Sequence, residues 1–163
     1  MVHDEIVLTY WPAATPIQKH TVRDRGLLES ACARPFQTAF GDDGFPSILE
    51  KAAVLFHGLI ANHAFQDGNK RTAIIALTFF LTANDYMLGL LPQEMYETAI
   101  KTAGARSAGV RIEETLAEIH SILKEWAVPF EILRTDPEFA KLYLLHLESQ
   151  RTIREHKLNR PRP

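Results

Sequence analysis

The sequence predicts an all-α protein, a helical bundle with one small β element, and two observations lead to this prediction. Apolar residues recur at three- and four-residue steps from Ser47 onward, which is the period of amphipathic helices. Capping residues stand at several of the predicted helix starts. With 163 residues, of which 46% are hydrophobic and 23% charged, the chain has the length and composition of one folded domain.

The region before Ser47 is predicted to hold the β element. Residues 5–10 are β-branched and aromatic, which favours a short strand, and residues 26–33 form a helical pattern that Pro35 ends. Four apolar residues between 35 and 46 surround an Asp-Asp-Gly turn signal at 42–44. We therefore predict a hairpin, or flap, over about residues 35–46.

Two long helices follow. Ser47 can cap the first, with Glu50 completing a capping box, and an apolar stripe continues to Ile60. The second helix is predicted from about Lys70 to Ala83 and is apolar on nearly every side, which is typical of a helix at the centre of a bundle. Further helices are predicted at about 92–103, at 111–126, and after an Asp-Pro start at 136–137.

Charge and cysteine content limit the classes of function. Residues 151–163 carry a net charge of +4 and the other 150 residues −6. Such a basic tail can contact nucleic acid or an acidic partner, although a solvated chain end is the commoner outcome. Cys32 is the one cysteine, so there is no internal disulfide. Because no apolar run spans a bilayer and the acidic N-terminus is unlike a signal peptide, we expect a cytoplasmic protein with no membrane contact.

The loop between the two long helices carries the chemistry. Gly68 allows the chain to bend so that the first N–H groups of the next helix converge on an anion. Lys70 and Arg71 are unfavourable for a helix N-terminus but favourable for a bound anion. Asp67 supplies an oxygen ligand for Mg²⁺, and His63 is suited to accept a proton near neutral pH. Together these residues predict transfer of a phosphate-containing group to a hydroxyl.

The same stretch resembles a family signature. Residues 63–73, HAFQDGNKRTA, resemble the motif H-x-F-x-[DE]-G-N-G-R-x-x-R of the nucleotidyl-transferring branch of the Fic/Doc (Fido) family. The matching positions are His63, Phe65, Asp67, Gly68, Asn69 and Arg71. Lys70 replaces a glycine and Ile74 the second arginine, and both departures resemble the Doc branch, the toxins of Phd–Doc type toxin–antitoxin modules.

The resemblance implies a Fic/Doc-type bundle over residues 1–126, with the flap as a target-docking element. It leaves 127–163 as a C-terminal helical extension with a basic tail. It also implies roles: His63 as the base for a target Ser or Thr hydroxyl, Asp67 as the Mg²⁺ ligand, and the loop N–H groups as part of the ATP phosphate site. The remaining phosphate-binding residues would be Gly68, Asn69, Lys70 and Arg71.

The activity implied by the Doc branch is transfer of the γ-phosphate of ATP to a threonine of elongation factor Tu, which stops translation. A separate Phd-like antitoxin is the expected partner, since no inhibitory helix motif is found. Two alternatives stay open: AMP transfer, as in the Fic branch, and a nucleotide-binding or interaction module without turnover. A metal site formed by His57 with His63 and Asp67 is a further, weaker alternative.

Overall fold

Helices make up most of the part of the chain that the computed structural model describes, which is residues 22–90, 92–145 and 148. In chain order the elements are α1 (Arg25–Ala33), a 3-10 turn (Arg34–Phe36), β1 (Thr38–Ala39), β2 (Asp42–Asp43), α2 (Ile48–Ala61), α3 (Asn69–Ala83), β3 (Tyr86–Leu88), α4 (Pro92–Ala105), α5 (Ile112–Trp126), β4 (Ala127–Pro129) and α6 (Phe130–Thr135). Residues 137–145 are also helical. The all-α prediction is confirmed, whereas the predicted strand at 5–10 and the basic tail at 151–163 lie outside the described residues.

The central helix of the bundle is α2. All residues from 51 to 60 are buried, and α1, α3, α4 and α5 pack around them. The prediction that residues 70–83 form the central helix is wrong, because α3 leaves Phe79 56% exposed. Small residues explain the difference. Gly58 meets Ala31 of α1 so closely that a Cβ at position 58 would lie 3.3 Å from the Ala31 Cβ.

The start of α2 is fixed by the predicted capping box. The Ser47 hydroxyl accepts from the Glu50 N–H at 3.1 Å, and the Glu50 carboxylate accepts from the Ser47 N–H at 2.9 Å. One residue later, the buried Lys51 ammonium donates to the Asp43 carboxylate and to the Phe45 carbonyl. The hydrogen bond from Lys51 holds the pKa of the Asp43 carboxyl below its usual range. The hairpin is thereby tied to the first turns of α2.

The predicted hairpin exists, but its turn lies two residues before the predicted turn. Ala39 pairs with Asp42, so the central turn residues are Phe40 and Gly41, with φ of 56° and 93°. Two positive φ values in a two-residue loop are the mark of a type I′ turn. The Asp-Asp-Gly signal was misleading because both aspartates belong to β2. The Phe40 side chain is fully exposed at the tip.

The segment after residue 126 is joined to the bundle by a second antiparallel pair, which the sequence did not predict. Strand β4 pairs with β3 from Ala127 opposite Leu88 to Pro129 opposite Tyr86. The Asp136 carboxylate caps the helix at 137–145, as predicted, by accepting from the Phe139 N–H at 2.9 Å. A domain boundary at 126 stays a prediction. None of the described helices combines the length and hydropathy needed to cross a membrane.

Candidate active site

The candidate site is the loop between α2 and α3. Helix α2 ends at its C-cap, Asn62, and the next residue, His63, has a φ of 48°. A left-handed residue directly after the C-cap is a common helix ending, but it is usually glycine. The backbone cost of a side chain there is roughly 1–2 kcal/mol. The exposed His63 thus occupies a strained position where the helix ends.

Backbone pairing with the chain before α1 holds the loop. The Ala64 carbonyl accepts from the Arg23 N–H at 2.8 Å and from the Asp24 N–H at 3.1 Å, and Val22 forms an antiparallel bridge with Phe65. Ala64 is fully buried and Phe65 is 8% exposed. Phe65 therefore anchors the loop in the core, as the sequence predicts.

Asn69 closes the loop with two hydrogen bonds to one residue. Its Oδ1 accepts from the Phe65 N–H at 3.0 Å, and its Nδ2 donates to the Phe65 carbonyl at 2.8 Å. The family resemblance implies that Asn69 binds ATP phosphates, but in the structure its side-chain amide stabilises the loop. The backbone N–H of Asn69, in the first turn of α3, is the group that can face a ligand.

The N-terminus of α3 has the features of an anion site. Gly68 is the N-cap, with φ 82° and ψ 6°, and no side chain caps the helix. The first N–H groups of the helix, at Asn69, Lys70 and Arg71, have no partner within it, and the helix dipole adds positive potential there. The predicted bend at Gly68 is confirmed, because its left-handed conformation is one that glycine adopts without strain.

The carboxylate of Asp67 is held in place from both sides. Its Oδ1 accepts from the Gly68 N–H at 2.6 Å, and its Oδ2 accepts from the Arg71 guanidinium at 3.3 Å. The Asp67 side chain is 62% exposed and that of Arg71 only 15%. Because the two charges neutralise each other, Lys70 supplies the net positive charge at this end of α3.

These side chains surround one cavity of 230 Å³. Six of the lining residues are the predicted site residues, which are His63, Asp67, Gly68, Asn69, Lys70 and Arg71. The others are Gln66 of the loop, Ile60 of α2, and Tyr96 and Ala103 of α4. The structure thus brings together all six predicted residues, although their roles stay predictions. Sequence reasoning missed Tyr96 and Ala103 of α4. Their seven-residue spacing places them on one helix face, but such a face is more often part of the core.

His57 does not belong to this cavity. It lies within α2 with 7% exposure, and its Nδ1 has no hydrogen-bond partner among the described residues. Burial lowers the pKa of His57, and the nearby Arg34 guanidinium lowers it further. The described residues contain no group of three histidine, cysteine or carboxylate side chains that could hold a metal. A site formed by His57, His63 and Asp67 is therefore not supported.

Before any comparison, the described residues form a mostly helical fold in which an uncapped helix N-terminus lies beside a histidine and a carboxylate. A sequence model described as the Fic/DOC family matches residues 1–81. Residues 1–81, which contain the whole loop, therefore match the Fic/DOC family.

A curated relative agrees with this assignment. The "Toxin Doc" of Mycolicibacterium smegmatis (strain ATCC 700084 / mc(2)155) is 51% identical over 67 residues, which are 41% of this chain and 52% of the relative. The chain therefore spans about half the length of the relative that it matches. No solved structure matches the chain significantly.

Proposed function

We propose that this protein is a toxin of Doc type that transfers the γ-phosphate of ATP to a Ser or Thr hydroxyl of a protein target. The observation that carries the proposal is the cavity in which the uncapped start of α3 and Lys70 lie together with His63 and Asp67. This combination supplies an anion cradle, a proton acceptor and a metal ligand in one place.

The cradle suits the phosphate groups of a nucleotide. At 230 Å³ the cavity is smaller than the roughly 300–1,000 Å³ typical of pockets that enclose a whole small molecule. The phosphates would therefore occupy the cavity, and the nucleoside would extend beyond it. The backbone N–H groups in the first turn of α3 and the Lys70 ammonium can donate hydrogen bonds to phosphate oxygens.

Asp67 is the residue that would hold Mg²⁺. A carboxylate is a hard oxygen ligand, and Mg²⁺ in nucleotide sites is bound by one or two carboxylates together with substrate phosphates. The 62% exposure of Asp67 leaves its oxygens accessible from the cavity. When bound, the ion would neutralise charge on the phosphates.

His63 is placed to accept the proton of the target hydroxyl. It is exposed at the cavity, and a neutral imidazole has a ring nitrogen that can accept a proton from a hydroxyl. As the hydroxyl oxygen bonds to the γ-phosphorus, the bond between that phosphorus and the β–γ bridging oxygen breaks. ADP leaves, and the proton remains on the imidazole.

One observation favours γ-phosphate transfer over AMP transfer. The resemblance assigns orientation of the triphosphate for AMP transfer to a second arginine, and Ile74 stands at that position. Ile74 is 7% exposed and packs in the apolar core with Leu77 and Phe56. This position of α3 therefore faces the interior and not the phosphates, which supports a different orientation of the triphosphate.

The target and the partner follow from the family resemblance. We propose elongation factor Tu as the target, the cytoplasm as the place of action, and a separate Phd-like antitoxin as the inhibitory partner. A toxin that blocks translation requires such a partner if the producing cell is to survive. Co-expression with a Phd-like antitoxin should restore growth of cells that produce this protein, whereas toxicity that the antitoxin does not relieve would contradict this part.

The test of the reaction uses two labels in a bacterial extract. With ATP labelled at the γ-phosphate, one protein band should become labelled, whereas ATP labelled at the α-phosphate should give none. Replacing His63 by Ala should lower the rate about 10²–10⁴-fold, which is the usual contribution of a general base, without loss of ATP binding.

Replacing Lys70 by Ala should instead weaken ATP binding about tenfold. The matched control is Lys101→Ala, because Lys101 lies on α4 and pairs with Glu118 outside the cavity. Transfer of the α-label would support AMP transfer. ATP binding with no transfer of either label would indicate a module without turnover.

A further inference from the structure

We infer that the Arg71 guanidinium occupies the cation position of Asp67 until a nucleotide binds, so that Mg²⁺ binds together with the nucleotide and not before it. The inference rests on the proposed function, because it takes Asp67 as the Mg²⁺ ligand and the cavity as the phosphate site. It goes beyond that function by assigning an order of binding to one ion pair of the site.

Both oxygens of the Asp67 carboxylate have partners within the chain. Oδ1 accepts from the Gly68 N–H at 2.6 Å, and Oδ2 accepts from the Arg71 guanidinium at 3.3 Å. Because Arg71 lies four residues after Asp67, the ion pair joins the loop to the first turn of α3. A cation that approaches Oδ2 therefore meets the positive charge of the guanidinium at close range.

The two side chains of this ion pair differ in exposure. The side chain of Arg71 is 15% exposed, whereas that of Asp67 is 62% exposed. The guanidinium is thus held against the protein, where a lower dielectric strengthens both its attraction to the carboxylate and its repulsion of other cations. Because a guanidinium stays charged at any physiological pH, this repulsion is a permanent property of the nucleotide-free site.

The other charges of the cavity act in the same direction. Its lining carries one carboxylate, Asp67, and two cationic side chains, Lys70 and Arg71. The uncapped N-terminus of α3 adds further positive potential. Without a nucleotide the cavity therefore favours anions and repels a free divalent cation, although it contains a carboxylate that is suited to bind one.

A nucleotide reverses this balance. Its phosphates carry several negative charges, and a guanidinium binds phosphate oxygens in the same way as it binds a carboxylate. Arg71 and Asp67 line the same cavity, so the guanidinium can exchange the carboxylate for a phosphate without leaving the site. Asp67 then has an oxygen available for the Mg²⁺ that accompanies the phosphates. The implied contact of Arg71 with phosphate and its observed contact with Asp67 are thus two positions of one side chain.

Binding of Mn²⁺ to the nucleotide-free full chain, measured by electron paramagnetic resonance, tests the inference. Arg71→Met should bind Mn²⁺ about tenfold more tightly than the original protein, because the nearest like charge is removed. Lys70→Met is the matched control: it removes the same charge from the same cavity, but among the described residues Lys70 forms no ion pair with Asp67. Its gain in affinity should stay below about threefold. Far-UV circular dichroism should show the same helix content in both variants.

The converse measurement uses ADP in the presence of EDTA. Asp67→Asn should bind metal-free ADP about tenfold more tightly than the original protein, because Arg71 is released to the phosphates. The same substitution made in the Arg71→Met variant should give no such gain, since the released side chain is then missing.

Three results would overturn the inference: equal Mn²⁺ affinities of Arg71→Met and the original protein, equal gains for Arg71→Met and Lys70→Met, or an ADP gain that persists without Arg71. If the original protein binds ADP, any of these results leaves the proposed function intact and removes the inference alone. No ADP binding by any variant would contradict the proposed function itself, and the inference with it.

Discussion

Replacing Asn69 by Ala should destabilise the protein by about 2 kcal/mol, since two hydrogen bonds at roughly 1 kcal/mol each are lost. Both bonds go to Phe65, at 3.0 and 2.8 Å. Because Phe65 is 8% exposed, water has limited access to its backbone groups after the change, so the expected cost lies between about 2 and 3 kcal/mol. This substitution therefore measures how strongly one side chain holds the loop.

The matched control is Asn84, at the other end of the same helix. Its Nδ2 donates one hydrogen bond, to the Phe80 carbonyl at 2.7 Å, so Asn84→Ala should cost about 1 kcal/mol. Urea denaturation of both variants gives the comparison, provided that the m-value is unchanged. An Asn69→Ala variant no less stable than Asn84→Ala would refute the assignment of Asn69 as the residue that closes the loop.

Three further predictions concern stability. His63→Gly should remove activity but raise the free energy of unfolding by up to about 1 kcal/mol, because glycine adopts the left-handed conformation without strain. His63→Ala should not raise the free energy of unfolding, and comparing the urea midpoints of the two variants tests this. The pKa of His57 is lowered in the folded state, so the unfolded state binds a proton more readily and the protein should lose stability as the pH falls below 6.5. In thermal melts from about pH 7.5 to 5, the melting temperature of His57→Leu should fall less steeply than that of the original protein. Equal slopes would contradict the prediction. Gly89→Ala should cost about 1–3 kcal/mol because it overlaps Tyr143, whereas Gly104→Ala, in open space on α4, should be neutral or stabilising by up to about 1 kcal/mol; equal effects would contradict the packing described.

Local signals in the sequence were sufficient to predict much of the candidate site. The loop residues lie within nine positions of one another, so their proximity needs no knowledge of the tertiary structure. Gly68 and the capping box at Ser47 also depend on neighbours a few residues away, and both are confirmed. Phe65, an apolar residue within a polar loop, was predicted as an anchor on the same basis.

Features that depend on tertiary packing were not predictable in the same way. Residues 73–81 of α3 are apolar except for Thr78 and therefore resemble a fully buried helix. However, α2 is the central helix, because Gly58 and neighbouring alanines let other helices approach closely. The role of Asn69 in closing the loop depends on where Phe65 lies in space. Tyr96 reaches the cavity from α4, more than twenty residues after the loop, and no local pattern distinguishes it from a core residue.

The most direct test of the central claim is intact-mass spectrometry of purified elongation factor Tu after incubation with this protein, ATP and Mg²⁺. The account predicts the gain of one phosphoryl group, which is absent when His63 is replaced by Ala. Gain of AMP instead of phosphate, or an unchanged mass with the active protein, would contradict it.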